Sequence, residues 1–333
     1  MRKRDIALAL GGAVGAAVAI KLLTRAETVV FDDVVDQIEH SEHSRFANVD
    51  GTRIHYQEFG DAGDPAIILI HGYTASAYVW KSSAPLLADS HLRVIAIDLV
   101  GFGYSDKPKW FEYSIDAQAR MVSRFMNRLG IGRATIAGSS YGGAVAATLA
   151  LDYPERVEKM ILVDAVCNDG LKSHPIIRLA SMRGVGEVIT PFLADSKMFL
   201  KYRMHGTLAK SHHDLITEER IQSIRRPLLA ADGHNSLLAT SRNWRAERIE
   251  HDAHLINQPT LIVWGEDDKV IPITDGYKLH GEILNSRFVV LKDCGHVPQE
   301  ERPELFAELV TEFCQSRKGK IEPRDDDSIR LEV

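Results

Sequence analysis

Gly138-Ser139-Ser140-Tyr141-Gly142 places a serine at the centre of a G-x-S-x-G pattern. In that pattern the middle residue sits on a tight turn between a strand and a helix, and the flanking glycines let the two backbones approach closely. The register selects Ser140 and leaves Ser139 as the variable neighbour. A serine hydroxyl is a weak nucleophile at neutral pH, so it needs a base in reach, and the base needs an acid to fix its tautomer. His296, in Cys294-Gly295-His296, is the candidate base. Asp267 and Asp268 after TLIVWG, and Asp164 at the end of LVDAV, are candidates for the acid. Adjacent residues cannot both face the histidine. A serine, a histidine and a carboxylate so arranged carry out acyl transfer through a covalent intermediate.

These residues close apolar runs. AIILIHG, RVIAIDLVG, ATIAGSS, MILVDAV, TLIVWGEDD and RFVVLKDCGH are each a short apolar, β-branched run ending in polar or glycine residues, as buried parallel strands are. RFANVDGTRIHYQEFG reads as a hairpin turning at Asp50-Gly51. SIDAQARMVSRFMNRLG, YGGAVAATLALDY, TDGYKLHGEIL and PELFAELVTEFCQ have helical apolar spacing and alternate with the strands. The fold class expected is α/β, a mostly parallel doubly wound sheet. From about Cys167 to Gln258 the strands give way to amphipathic stretches, which predicts an inserted helical cap. The expected domains are residues 45–166 and 259–316 for the two parts of the core and 167–258 for the cap. A linker is expected over 26–44 and a charged, flexible tail over 317–333.

The chain has 333 residues and a net charge of -6, so it has no overall basic field to draw it to nucleic acid. Its three cysteines, Cys167, Cys294 and Cys314, have no metal-like spacing. His212-His213-Asp214 and His251-Asp252-Ala253-His254 read as polar helix faces in the cap, so neither metal nor cofactor is expected. Residues 1–25 read as a hydrophobic anchor or signal segment, with a basic start and an apolar run over residues 6–23 interrupted only by Lys21. The expectation is a membrane-anchoring helix with the catalytic domain on the non-cytoplasmic side. Cleavage near Ala17-Val18-Ala19, giving a secreted or periplasmic protein, is the alternative.

On HGYTAS, DLVGFGYSDKP, GSSYGG, WGEDDKVIP and CGHVPQEERPE, from about Phe46 to Cys314, the chain resembles the capped branch of the α/β-hydrolase family. The resemblance implies that Ser140 is the nucleophile, His296 the base and Asp268 the acid, with the backbone N–H groups of Tyr73 and Tyr141 forming the oxyanion hole. Dehalogenases and epoxide hydrolases of this family carry aspartate at the position of Ser140, whereas serine points to acyl transfer. Hydrolases of ring-cleavage products typically have tryptophan where Val297 stands. The function expected is hydrolysis of carboxylic esters, hydrophobic or lipid ones, in the manner of a carboxylesterase or lipase. The alternatives are a cap-gated carbon–carbon bond hydrolase or other acyl transferase with the same triad, and a non-catalytic ligand-binding protein of the fold.

Overall fold

A computed structural model describes residues 29–170, 178–179, 181–316, 319 and 328–332. β1 (Ser44–Val49) and β2 (Thr52–Phe59) form the opening hairpin. Asp50 and Gly51 both have positive φ at its turn, as two-residue hairpin turns of this hand require. β3 (Ala66–Ile70), β4 (Arg93–Ile97), β5 (Ala134–Ser139), β6 (Val157–Val163), β7 (Thr260–Gly265) and β8 (Ser286–Leu291) run parallel to one another. β9 (Ile329–Glu332) adds antiparallel to β8. The sheet order is β1-β2-β4-β3-β5-β6-β7-β8-β9.

The period-2 geometry of a strand splits the apolar runs between two cores. In β3, Ile67 and Leu69 pack on one face with Trp80 and Phe306, while Ile68 and Ile70 pack on the other with Phe125 and Tyr141. All four β3 side chains are fully buried, each contributing about 1.5–3 kcal/mol relative to exposure. α1 (Ser83–Asp89) covers the first face; α2 (Ile115–Arg128) and α3 (Tyr141–Asp152) cover the second. Ser114 starts α2 by accepting the Ala117 N–H on its hydroxyl.

Between β6 and β7 lie α4 (Val185–Asp195), α5 (Lys197–Thr207), α6 (Glu218–Leu229), α7 (Gly233–Asn243) and α8 (Glu247–Asp252). After β7 come α9 (Ile273–Glu282), α10 (Pro298–Glu301) and α11 (Pro303–Gln315). α11 joins α1 on the first face through Phe306, Leu309, Val310 and Phe313.

Two segments differ from expectation. The tail predicted to be flexible supplies β9, where Ile329 buries its side chain against the core and the backbone extends the sheet edge. The predicted linker is docked on the domain: Phe31 meets the rings of Phe46, His55 and Tyr104, and Gln57 donates to the carbonyl of Glu39. The membrane-spanning helix is also corrected. Among the described residues no helix is long and apolar enough to cross a membrane. The longest, α2, has 14 residues, about 21 Å against the roughly 30 Å of a bilayer core. The run over residues 6–23 that motivated the expectation lies outside the described residues.

Candidate active site

β5 ends at Ser139 and α3 begins at Tyr141, so Ser140 alone makes the turn. Its backbone has φ 54° and ψ -116°, a conformation that side chains other than glycine's seldom adopt. Three hydrogen bonds hold it there. The Ser140 N–H donates to the Val163 carbonyl at 2.9 Å, and the Ser140 carbonyl accepts from Gly143 and Val166, each at 3.0 Å. A Cβ on Gly142 would stand 2.3 Å from the Ile70 carbonyl oxygen, and one on Gly138 would stand 2.2 Å from that of Gly142. The glycines of the motif are therefore steric requirements of the turn. Both serines line a cavity of about 150 Å³ together with His296, and Ser139 Oγ is engaged there as the acceptor from Gln299 Nε2 at 3.3 Å.

His296 Nδ1 donates to Asp268 Oδ2 at 2.7 Å, with the carboxylate side chain fully buried. A carboxylate only accepts, so the proton is on Nδ1 and Nε2 is the basic nitrogen. The other oxygen, Asp268 Oδ1, accepts from the N–H groups of Val270 at 2.7 Å and Ile271 at 3.1 Å. Asp267, the adjacent candidate, is exposed. Asp164, the third, is fully buried close by: one carboxylate oxygen each of Asp164 and Asp268 and one ring nitrogen of His296 lie within 4.8 Å of one another. Burial, reinforced by the charge of Asp268, pushes the Asp164 carboxyl well above the usual carboxylate range.

The loop after β3 abuts the turn, since a Cβ on Gly72 would be 3.1 Å from Ser140 Cβ. Tyr73 follows it, its hydroxyl donating to the Leu237 carbonyl of α7 at 3.0 Å. Tyr141 is the first residue of α3, so its N–H has no acceptor within the helix. His71 is a scaffold residue: Nδ1 donates to the Gly72 carbonyl at 2.8 Å and Nε2 accepts the Leu99 N–H at 3.1 Å. Its complete burial lowers its pKa and keeps the ring neutral.

Several residues that sequence reasoning passed over shape the site. Glu301 accepts N–H groups from Gly295, Val297 and, across from the cap, Ala209. The His296 N–H itself donates to the Thr207 carbonyl of α5 at 2.8 Å, so the histidine loop is tied to the cap. Arg220 of α6 and Glu300 form a buried ion pair at 2.8 Å in the cavity wall. Arg203 lines the same cavity and an adjoining one of about 360 Å³, whose walls include Leu193, Phe199 and Leu228. Among the described residues no carboxylate pairs with Arg203. A signal was present for the glutamates, in the run PQEERPE, but charges at a helix start are ordinarily read as caps.

A family model of the alpha/beta hydrolase fold matches residues 65–303, from the approach to β3 to the first residue of α11. The chain belongs to the α/β-hydrolase fold family. This α/β hydrolase is 31% identical over 270 residues to the uncharacterized hydrolase YugF of Bacillus subtilis, covering 80% of this chain and 95% of that one. It is 30% identical over 292 residues to a 2-hydroxy-6-oxononadienedioate/2-hydroxy-6-oxononatrienedioate hydrolase of Paraburkholderia phymatum, covering 84% and 99%. A solved meta-cleavage product hydrolase from Pseudomonas fluorescens superposes with a TM-score of 0.69 at 26% identity, covering 82% and 98%. The expected class, a hydrolase, stands. The expectation of a membrane-held lipase is corrected, because two of these relatives are named for hydrolysing a 2-hydroxy-6-oxo acid or a meta-cleavage product and no helix among the described residues is long and apolar enough to cross a membrane. The placement of the domain beyond a membrane, anchored or released by cleavage, rested on the same segment and is withdrawn.

Proposed function

We propose that this α/β hydrolase breaks a carbon–carbon bond beside a ketone in a conjugated keto acid, using Ser140 as nucleophile, His296 as base and Asp268 as its orienting acid. The observation that carries this reading is the near full-length similarity to a relative named for hydrolysing 2-hydroxy-6-oxo dienoic and trienoic diacids. In this scheme Ser140 Oγ attacks the ketone carbon while His296 Nε2 takes its proton. The N–H groups of Tyr73 and Tyr141 stabilise the oxyanion. The substrate reacts as its 2-oxo tautomer, its enol proton having moved to the carbon beside the ketone. The carbon–carbon bond then breaks, the electron pair passes through the enone to the 2-oxo oxygen, and the proton from His296 ends on that dienolate fragment. Water, deprotonated by His296, hydrolyses the acyl-serine and releases the second acid. A carbon fragment leaves only when a conjugated carbonyl takes up the charge, which restricts the substrate class. Arg203, a cation in the cavity wall with no carboxylate partner among the described residues, suits an acid at the far end of such a substrate. Arg220, by contrast, already has a carboxylate partner in Glu300 at 2.8 Å.

Ester hydrolysis by the same residues is the second reading, favoured by one observation: Val297 lines the cavity where ring-cleavage hydrolases typically carry tryptophan. A rate comparison between a 6-substituted 2-hydroxy-6-oxohexa-2,4-dienoate and p-nitrophenyl acetate and butyrate separates the two. The dienoate is expected to have the larger kcat/KM; ester turnover without dienoate cleavage would transfer the function to the second reading. Ser140→Ala is expected to abolish both activities while the fold persists, and an unchanged rate would refute the nucleophile.

A further inference from the structure

Asp164 is a buried carboxyl that the mechanism above does not use. It follows β6 directly, with φ 43°, in the left-handed region that aspartate tolerates better than most residues. Its N–H donates to the Val263 carbonyl at 3.0 Å, fixing the residue between the ends of β6 and β7. Its Oδ1 accepts the Gly265 N–H at 2.9 Å. Its Oδ2 is buried and receives no hydrogen bond from an N–H or O–H group among the described residues. What Asp164 faces instead is the carboxyl of Asp268.

The ionisable groups around it are Asp268, His296, Glu301 and the Cys294 thiol. Asp268 has three donors, the His296 ring and two backbone N–H groups. Glu301 has the N–H groups of Gly295, Val297 and Ala209. Asp164 has one. Burial raises the Cys294 thiol well above its ordinary value, so it stays protonated and adds no charge. Two buried carboxylates in contact cannot both ionise, and the proton goes to the one with fewer donors.

We propose that Asp164 is a positioning residue of the triad: it holds a proton on Oδ2 and donates it to Asp268, so that His296 is oriented by a carboxyl pair sharing one proton. This satisfies the orphaned oxygen, gives Asp268 a fourth donor and spreads the charge that the imidazolium meets. The inference rests on the reading of Ser140, His296 and Asp268 as the triad.

Two variants test it, with the infrared spectrum and the pH dependence of p-nitrophenyl acetate hydrolysis as readouts. Asp164→Asn replaces an O–H donor by an N–H donor of nearly the same shape. It should remove a protonated-carboxyl C=O band from the spectrum at neutral pH and leave the acid limb of kcat/KM in place. Asp164→Ala removes the donor, concentrates charge on Asp268 and should move the acid limb upward by on the order of half a pH unit, about threefold in the protonated fraction. The proposal is overturned if no such band disappears in Asp164→Asn. It is equally overturned if Asp164→Asn moves the limb downward, which is the effect of deleting an ionised carboxylate, or if Asp164→Ala leaves it where it is. Ser140→Ala separates the two levels: activity that survives it refutes the triad, and the infrared band reads the proton on Asp164 without turnover.

Discussion

Asp98 ends β4 and is fully buried, and its carboxylate gathers three donors: His55 Nδ1 at 2.7 Å, the Ala77 N–H at 2.7 Å and the Tyr104 N–H at 2.8 Å. It ties the hairpin, the loop after β3 and the loop after β4 to one point. Burial by itself raises its pKa, but the His55 ring and the donors outweigh that and hold the carboxyl at about 2, against an ordinary 3.8. A depressed carboxyl stabilises the fold fully above its unfolded pKa, and this is lost as the pH falls through the folded one. The gap, 3.8 minus 2, corresponds to about 2 kcal/mol, lost between roughly pH 4 and pH 2. Asp98→Asn keeps the shape but turns an N–H group toward one of the donors. Rotation gives no relief, because Oδ1 accepts from Ala77 and Oδ2 from His55 and Tyr104, so either orientation of the amide faces a donor. The expected loss at neutral pH is roughly 3–5 kcal/mol, as for breaking a buried pair. Urea unfolding of parent and variant, at neutral pH and at about pH 3, reads this as a stability difference that narrows by about 1 kcal/mol, since pH 3 lies midway through the loss. A variant within about 1 kcal/mol of the parent at neutral pH, or a difference that does not narrow, would refute the reasoning.

Two further outcomes follow from groups elsewhere. Lys159 on β6 is buried and donates from Nζ to the carbonyls of Phe313, Cys314 and Ser316 at the end of α11. Lys159→Met should keep the stem's packing, lose about 1–3 kcal/mol of stability and leave hydrolysis by the folded protein unchanged; an unaltered melting temperature would count against the capping role. Arg203→Gln should raise KM for a carboxylate-bearing dienoate by on the order of tenfold, about 1.4 kcal/mol, and spare p-nitrophenyl acetate. Equal effects on the two substrates would remove Arg203 from substrate recognition.

What the sequence made legible was governed by short-range physics. The strands announced themselves because a strand covered on both faces must be apolar along nearly its whole length, as β3 is throughout and β7 is after Thr260. The Ser140 turn was legible because the glycines it needs, Gly138 and Gly142, lie within two residues of it, although the atom that excludes a Cβ on Gly142 is the distant carbonyl oxygen of Ile70. The preference for Asp268 over Asp267 came from family resemblance. Spacing alone left the neighbours equal, and the direction of each side chain is set by the chain reversal after β7. There Asp268 turns inward and Asp267 is left in solvent.

The features that remained hidden are those whose energetic meaning depends on a distant partner. Arg220 pairs with Glu300, 80 residues on, and Ala209 donates to Glu301, 92 residues on. Without those distances each charge looks like ordinary helix surface. The tail looked flexible by composition, yet the free edge of β8 offers unpaired backbone groups, and a strand of any polarity gains by joining it. Asp164 is the sharpest case. As a residue type it is the same acid as Asp268, and both follow apolar strands. Asp268 is held by three donors, while Asp164 has one donor and, among the described residues, an oxygen that receives no N–H or O–H. That difference in donor count decides which carboxyl keeps a proton and which meets the histidine as an anion. The acid of a triad is therefore a property of the hydrogen bonds that the fold supplies, and the residue type only makes it possible.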